Sequence, residues 1–592
     1  MSISITVLPG TETVTCPTGV RLHEVLARMG KPLTTPCGGN GTCGKCVVEI
    51  APKPSGDGRH DDRYDNHGFQ QVCACQYVVC ESLYVRLSGE SQLLMDASQI
   101  LTLHQPLDVP GDDAVPLTLA HLAADALAHL QQDLTCPNGQ YVVAVDIGTT
   151  TIVAELLFVQ TWPVDPASDV TTNHTRSCGV LACRNPQAEF GDDVISRIQC
   201  VCESEENADR LRLVVVDAIN DLISSLVDQE SINPQQITLA VIAGNTTMQQ
   251  LFASYEVESL GHAPFEPATK YYPPIHADVY GLAINRHGLV QLFPVIGGFV
   301  GGDLVAGIIA TQLCSQDAPS LLIDIGTNGE IILWHPDNRL LLAAATAAGP
   351  AFEGARISQG VIAAPGAIER VVIDDTLHVE TIGNQPAVGI CGSGLIDLVA
   401  ELVRIGAVAT SGKLLTGDQL PVSVPLAIRD RFVSYENKPA FVIVPQQDSA
   451  FDLPMTCGSP CSLMLTQADI RQVQLAAGAI RVGVTLLLRQ AGLEPADLSN
   501  VFLAGGFGNC IRRENAQQIG LLPPDIPTER IQFCGNTSLT GAKAVLLNAA
   551  YYDTMQTIAD MAECVDLSQS PDFSTVFAEA MLFPTPRDNK KS

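Results

Sequence analysis

Three cysteines fall within the short stretch PCGGNGTCGKC, at Cys37, Cys43 and Cys46. Thiolates are soft ligands, and four of them suit an iron–sulfur cluster or a zinc ion. The fourth must come from elsewhere, and QVCACQ offers Cys73 and Cys75, with Cys80 close by. Zinc sites usually pair two tight Cys-x2–4-Cys knuckles. Here one loop holds three cysteines and a remote segment supplies the last, the layout of a [2Fe–2S] cluster bound three-plus-one. Gly38, Gly39, Gly41 and Gly44 suit a loop whose backbone must pass close to such a cluster. A zinc staple or a set of buried thiols is the alternative.

A second set of residues could handle phosphate. Asp-Ile-Gly-Thr occurs twice, beginning at Asp146 and at Asp324, each time between two apolar strand-like runs. Such a turn places a carboxylate at the mouth of a hairpin. Gly148 and Gly326 would let a phosphate approach the backbone. The hydroxyls and N–H groups of Thr149, Thr150, Thr327 and Asn328 would bind its oxygens. The aspartates can hold Mg²⁺, usually through water. Gly301-Gly302-Asp303 opens an apolar helix just before the second turn, and Gly535-Asn536-Thr537 opens another near the end. LAGGFGN, 503–509, follows a strand, where Gly505, Gly506 and Gly508 would let a nucleoside lie against backbone.

The surrounding elements divide the chain of 592 residues into several units. Residues 1–90 alternate strand patterns with one helical stretch, GVRLHEVLARM; QVCACQYVV reads as a single strand. Residues 91–139 read as a linker containing one helix, PLTLAHLAADALAHLQQ. From Tyr141 the texture becomes α/β, and the repeated turn implies internal duplication. A middle domain is expected over 140–208 and a large one over 209–565; in that division Asp324 matters more to a phosphate site than Asp146. The polar, basic stretch 566–592 is expected to fray.

Composition narrows the function. A net charge of −31 disfavours nucleic acid and anionic membrane as partners. No run of about 18 apolar residues predicts a membrane span. The opening MSISITVLPGTETV reads as a strand, not a secretion signal. The 19 cysteines, many single in apolar stretches, fit a reducing, cytoplasmic location.

The cysteine loop resembles the adrenodoxin-like variant of plant-type ferredoxins. In that group the last ligand stands in an Ala-Cys-Gln stretch, so the resemblance favours Cys75, in Ala74-Cys75-Gln76, over Cys73. The phosphate-turn set resembles the phosphate, connect and adenosine motifs of the acetate kinase, sugar kinase, heat-shock chaperone and actin superfamily over about 141–550. The implied fold is an N-terminal β-grasp ferredoxin-like domain (α+β), then an α/β ribonuclease H-like, duplicated actin/hexokinase-type ATPase fold. In that superfamily Asp146 and Asp324 would face Mg–phosphate, Asp303 would stand near the attacking water, and Gly505, Gly506 and Gly508 would line the nucleoside.

The whole chain is similar to the ATP-dependent reductive activators of corrinoid-dependent methyltransferase systems. AGNTTM, NPQAEFGDDVISRI, LLIDIGTNGE, CGSGLIDLVAEL and DIRQVQLAAGAIR carry the likeness. It implies ATP-driven one-electron reduction of Co(II) to Co(I) on a corrinoid protein, with a [2Fe–2S] cluster, ATP and Mg²⁺ as cofactors. It also implies an upstream reductase or ferredoxin as electron donor, and a homodimer. Two other readings are an activator of 2-hydroxyacyl-CoA dehydratases, against which the ferredoxin-like head argues, and an electron carrier with a degenerate ATPase domain.

Overall fold

The computed structural model describes residues 2–8, 12–29, 47–52, 69–87, 117, 139–163, 171–191, 193–445, 462–505 and 511–585. In the N-terminal unit, β1 (Ser2–Leu8) pairs antiparallel with β2 (Glu12–Pro17), followed by the helix α1 (Leu22–Arg28). Strands β3 (Val47–Pro52), β4 (Gln70–Cys73) and β5 (Leu83–Leu87) complete a mixed sheet of order β2-β1-β5-β3-β4. Only β1 and β5 run parallel in it. Ile5, Leu22, Leu26, Val48, Leu83 and Val85 form its core between helix and sheet. QVCACQYVV is not one strand: β4 stops at Cys73, and Ala74–Gln76 turn. Face alternation therefore cannot separate Cys73 from Cys75. The helix expected in the linker lies outside the described residues, as do Cys37, Cys43 and Cys46.

Two further sheets repeat one plan. In the first, β6 (Gln140–Ile147), β7 (Thr151–Pro163) and β8 (Thr171–Arg184) form an antiparallel meander. The helices α2 (Val194–Glu203) and α3 (Glu205–Glu230) follow, each N-capped by a side chain, Asp193 and Ser204. Then come β9 (Ile237–Gly244), the helix α4 (Thr246–Phe252), β10 (Ile275–His276), β11 (Leu289–Leu292) and the helix α5 (Gly302–Ala310). The strand order is β10-β11-β9-β6-β7-β8, with β6, β9 and β11 parallel. Every residue of β9 is buried, as expected of a central strand covered on both faces.

The second sheet has the order β22-β21-β12-β13-β14-β23. Its strands β12 (Ser320–Ile325), β13 (Gly329–His335) and β14 (Leu340–Thr346) form the matching meander. A subdomain follows, with strands β15 (Ala367–Ile373), β16 (Leu377–Thr381) and β17 (Gly389–Ile390), helix α6 (Gly392–Arg404), and strands β18 (Phe432–Tyr435), β19 (Lys438–Val444) and β20 (Leu463–Thr466). The chain returns through helix α7 (Gln467–Ala491), β21 (Asn500–Ala504), helix α8 (Arg513–Gln518), β22 (Ile531–Gly535) and helix α9 (Thr537–Leu547). Helix α10 (Ala550–Met561), β23 (Ala562–Cys564) and helix α11 (Phe573–Ala580) close it. In both sheets a meander is extended by two parallel strands, the ribonuclease H-like order, and each ends in an equivalent helix, α5 or α9.

Two expectations need correction. The boundary at 208 falls inside α3, and strands on both sides of it, β6 and β9, are direct neighbours. The first sheet therefore runs on to β11, and Asp146 belongs to a full lobe. The stretch from Asp566 does not fray as far as Thr585: Leu567, Val576, Ala580 and Phe583 are buried in the second lobe's core. Their helical spacing in FSTVFAEAMLF outweighs the polar flanks.

Helices α5 and α9 cross at the junction of the two lobes. A Cβ placed on Gly541 would lie 2.1 Å from the backbone oxygen of Ala306, so the crossing exists only because that position lacks a side chain. Gly541→Ala must push the helices apart, and overpacking of this kind costs about 1–3 kcal/mol. The expected result is a lower urea midpoint for the large domain with an unchanged slope.

Candidate functional site

Both Asp-Ile-Gly-Thr turns lie at equivalent hairpins, β6–β7 and β12–β13. Asp146 and Asp324 end the first strand of each. Asp303 stands in the first turn of α5, and its counterpart in α9 is Ser538. The structure brings these groups together. Ser538 Oγ donates to Asp146 Oδ1 (2.7 Å) and Asn536 Nδ2 donates to Asp146 Oδ2 (2.8 Å). Asn536 also caps α9, accepting from the N–H of Leu539 (2.8 Å). The helix opening anticipated at 535–537 thus fixes the first aspartate across the lobe junction.

A fourth carboxylate, which the sequence reading passed over, joins the three. Glu330 is the direct cross-strand partner of Asp324. Like charges directly opposite in a sheet are destabilising, so such a pair is kept for what it binds. Burial pushes Asp303 up to about 8, with the charges of Asp324 and Asp146 adding to it. Burial and Asp146 push Asp324 up to about 7. Burial, then Asp303 and Asp324, hold Glu330 well above the usual carboxylate range. Burial raises Asp146 too, opposed by its bonds from Ser538 and Asn536. A divalent cation carrying phosphate oxygens would relieve this repulsion. Among the described residues no three His, Cys, Asp or Glu side chains are arranged to hold a metal ion by themselves. The cluster therefore fits Mg²⁺ bound mainly through phosphate and water, as hard oxygen-ligated Mg²⁺ often is.

The first turn is braced from behind. Asn185 Nδ2 donates to the carbonyl of Gly148 (2.8 Å), Arg197 Nη2 to that of Thr149 (2.7 Å), and the Asn185 N–H to that of Thr150 (2.8 Å). Arg197 is fully buried and also donates to the Gly191 carbonyl (2.8 Å) and to Gln187 Oε1 (3.1 Å). Asn245, the cap of α4, donates to Thr149 Oγ1 (2.8 Å). The carbonyls of the turn are occupied on the protein side and the Gly148 N–H is given to the Thr151 carbonyl (3.0 Å), so an anion would meet the N–H groups of Thr149 and Thr150 rather than the glycine's. The stretches NPQAEFGDDVISRI and AGNTTM, quoted above without a role, supply this brace. At the front, Thr150 Oγ1 donates to Glu353 Oε2 (3.0 Å) and Thr327 Oγ1 to Glu353 Oε1 (2.8 Å).

On the nucleoside side, Gly505 has φ +101°, and a Cβ there would lie 2.3 Å from the Ile325 carbonyl oxygen and 3.0 Å from Asp324 Oδ1. Gly506 and Gly508 lie outside the described residues. Beyond that segment Arg512 is pinned to the buried Asp397, its Nη2 2.9 Å from Oδ2. In the N-terminal unit Cys75 is fully buried, and Gln76 Nε2 lies 3.8 Å from its sulfur, the relation of a donor to a thiolate acceptor.

Because the folded protein raises these carboxylates while the unfolded chain ionises them near 3.8, folding takes up protons between about pH 4 and pH 8. Nucleotide-free stability should fall as pH rises through that window. Urea titrations at about pH 5.5 and pH 8 without Mg²⁺ are expected to show the lower stability at the higher pH. Asp303→Asn should shrink the difference; an equally steep fall would remove Asp303 from the coupled set.

Comparison with known proteins matches three family models along the chain: a 2Fe-2S iron–sulfur cluster binding domain over residues 5–80, the RACo middle region over 141–316, and the C-terminal ASKHA domain of RACo over 318–591. The middle-region match ends between the two sheets described above. The chain is 30% identical to the corrinoid activation enzyme RamQ of Eubacterium limosum, over 95% of this chain and 96% of that one. It is 23% identical to a [Co(II) methylated amine-specific corrinoid protein] reductase of Methanosarcina barkeri, over 71% and 72%. A solved reductive activator for corrinoid, iron–sulfur protein superposes over 98% of both chains, with 31% identity and a TM-score of 0.66. With an iron–sulfur head, a middle region and an ASKHA lobe in one order from end to end, the chain belongs to the family of corrinoid reductive activators.

Proposed function

We propose that the chain reactivates a corrinoid protein by ATP-dependent one-electron reduction of Co(II) to Co(I), the electron passing through a [2Fe–2S] cluster on Cys37, Cys43, Cys46 and Cys75. The observation that carries this reading is the carboxylate cleft at the lobe junction on the same chain as a [2Fe–2S] domain, in the family's order. A plant-type cluster supplies one electron at about −400 mV. A Co(II) acceptor of much lower potential takes it rarely unless another free-energy source shifts the balance. ATP hydrolysis between the lobes is that source.

The chain's own groups divide the work. The N–H groups of the two turns and the side chains of Thr149, Thr150, Thr327 and Asn328 bind phosphate oxygens. Asp146, oriented by Asn536 and Ser538, and Asp324, opposite Glu330, face the Mg²⁺ and its waters. Asp303, in the first turn of α5 beside Asp324 and Asp146, stands near the attacking water. Gly505, Gly506 and Gly508 line the nucleoside. Since α5 and α9 carry Asp303 and the Asp146 partners, a change of lobe angle moves both sides of the site together. The upstream donor is a reductase or ferredoxin, and the working form is a homodimer, both carried over from the family resemblance. No helix among the described residues is long and apolar enough to cross a membrane. A cytoplasmic location is supported by the many cysteines that stand singly in apolar stretches, as in a reducing compartment.

The decisive experiment mixes the reduced protein with a Co(II) corrinoid protein and follows Co(I) absorbance with and without MgATP. Co(I) is expected only with the nucleotide; equal reduction without it would refute the coupling. Cys43→Ala should remove the [2Fe–2S] spectrum, and Asp324→Ala should abolish ATP hydrolysis with that spectrum intact. A coloured Cys43→Ala protein would overturn the ligand set, and wild-type turnover in Asp324→Ala would remove that residue from the site.

A further inference from the structure

Glu353 is held by no sequence motif identified above, yet it touches both phosphate turns. Its carboxylate accepts from Thr150 Oγ1 at 3.0 Å and from Thr327 Oγ1 at 2.8 Å. Thr150 belongs to the first lobe and Thr327 to the second, 203 and 26 positions away in sequence from Glu353. One anionic group therefore bridges the cleft between the two turns. A threonine hydroxyl has a single hydrogen to give. While each is given to Glu353, neither can be donated to a phosphate oxygen. A half-buried carboxylate beside the turns would also repel an incoming polyphosphate.

The segment that carries Glu353 is anchored through its neighbours: Ala351 and Phe352 are buried in the second lobe's core, so a movement at this place is one of the Glu353 side chain. The segment is the single turn Pro350–Glu353, with Gly349 before it at φ +78° and Gly354 after it at φ +80°. A Cβ on Gly349 would meet nothing within 4 Å, whereas one on Gly354 would lie 2.5 Å from the Val361 carbonyl oxygen. The turn is closed by the N–H of Gly354 on the Ala351 carbonyl and that of Ala355 on the Pro350 carbonyl, both at 3.1 Å.

We propose that Glu353 is a phosphate-displaced latch: in the nucleotide-free protein its carboxylate spans the two turns where phosphate oxygens bind, and nucleotide phosphate takes its place. This rests on the reading of the two turns as phosphate sites. Arrival of nucleotide then does two things at once. It releases both threonine hydroxyls to the phosphates and turns the Glu353 side chain away from the cleft. The latch makes the second lobe respond to phosphate itself rather than to the nucleoside.

The test uses the full-length protein with its cluster, and compares wild type with Glu353→Gln, which keeps the shape but not the charge. Equilibrium binding is measured for AMP-PNP with Mg²⁺, inorganic pyrophosphate with Mg²⁺, and adenosine. Glu353→Gln should bind the two phosphate ligands about tenfold more tightly, equivalent to about 1.4 kcal/mol, and adenosine unchanged. Unchanged or weaker phosphate binding overturns the latch. Were wild type to bind none of the three ligands, the phosphate-turn reading itself would fail, a result distinct from binding that ignores the substitution.

Discussion

Crowding of negative charge is the condition around which the large domain is organised. Asp146, Asp303, Asp324 and Glu330 come from four elements, β6, α5, β12 and β13, and converge where two sheets meet. Asp146, Asp303 and Asp324 each raise the pKa of another of the four, and burial raises them all. Left to itself such a cluster would spread apart or draw in water. It cannot spread, because a single hydrophobic core includes Val142 and Ala144 of one sheet, Leu322 and Ile332 of the other, and Leu304 and Ala542 of the crossing helices. The contact of Gly541 with Ala306 closes the same junction from below. The rigidity of the floor is thus what keeps like charges in register for a cation and a polyphosphate.

The duplicated plan is used unequally. Asp303 and Ser538 occupy matching places at the starts of α5 and α9, but one is a carboxyl pressed by its neighbours' charge and the other a hydroxyl that donates to Asp146. The two hairpins differ also: Ile147 pairs with Ile152, whereas Ile325 pairs with Gly329, so the second turn is one residue shorter. That shortening sets Glu330 opposite Asp324, where the first hairpin has Val153 opposite Asp146. An ancestral symmetric arrangement has become a site with distinct faces, one binding and one reactive. A buried guanidinium behind the first turn, Arg197, adds a fixed positive charge on the binding face.

Much of this was legible from residue types and spacing. The two Asp-Ile-Gly-Thr turns, the helix openings at Asp303 and Asn536, and a duplicated α/β plan follow from local pattern, since strand–turn–strand signals are short-range; the ribonuclease H-like fold came from the family resemblance. Glu330 could have been read as well: in DIGTNGE the hairpin register alone places it across from Asp324. Glu353 could not, because only tertiary packing brings a residue 203 positions from Thr150 to its hydroxyl. The end of the first lobe was missed for a similar reason. The long helix α3 reads as a change of domain, while the parallel pairing of β6 with β9 across it leaves no local trace. The choice of Cys75 over Cys73 rested on the Ala-Cys-Gln resemblance; because β4 stops at Cys73, strand alternation adds nothing to it.

One buried side chain sets the length of the iron–sulfur unit's leash. Leu117 is fully enclosed in the core shared by the two lobes, and its N–H donates to the Leu546 carbonyl at 3.0 Å. At 3.3–3.6 Å per residue, the roughly 30 peptides from Leu87, the end of the last strand of the iron–sulfur unit, to Leu117 can span at most about 108 Å. The mooring of this stretch is the far end of α9, whose near end grips Asp146 through Asn536 and Ser538. One helix therefore holds a carboxylate of the cleft at one end and, at the other, the residue that bounds how far the iron–sulfur unit can lie from the lobes.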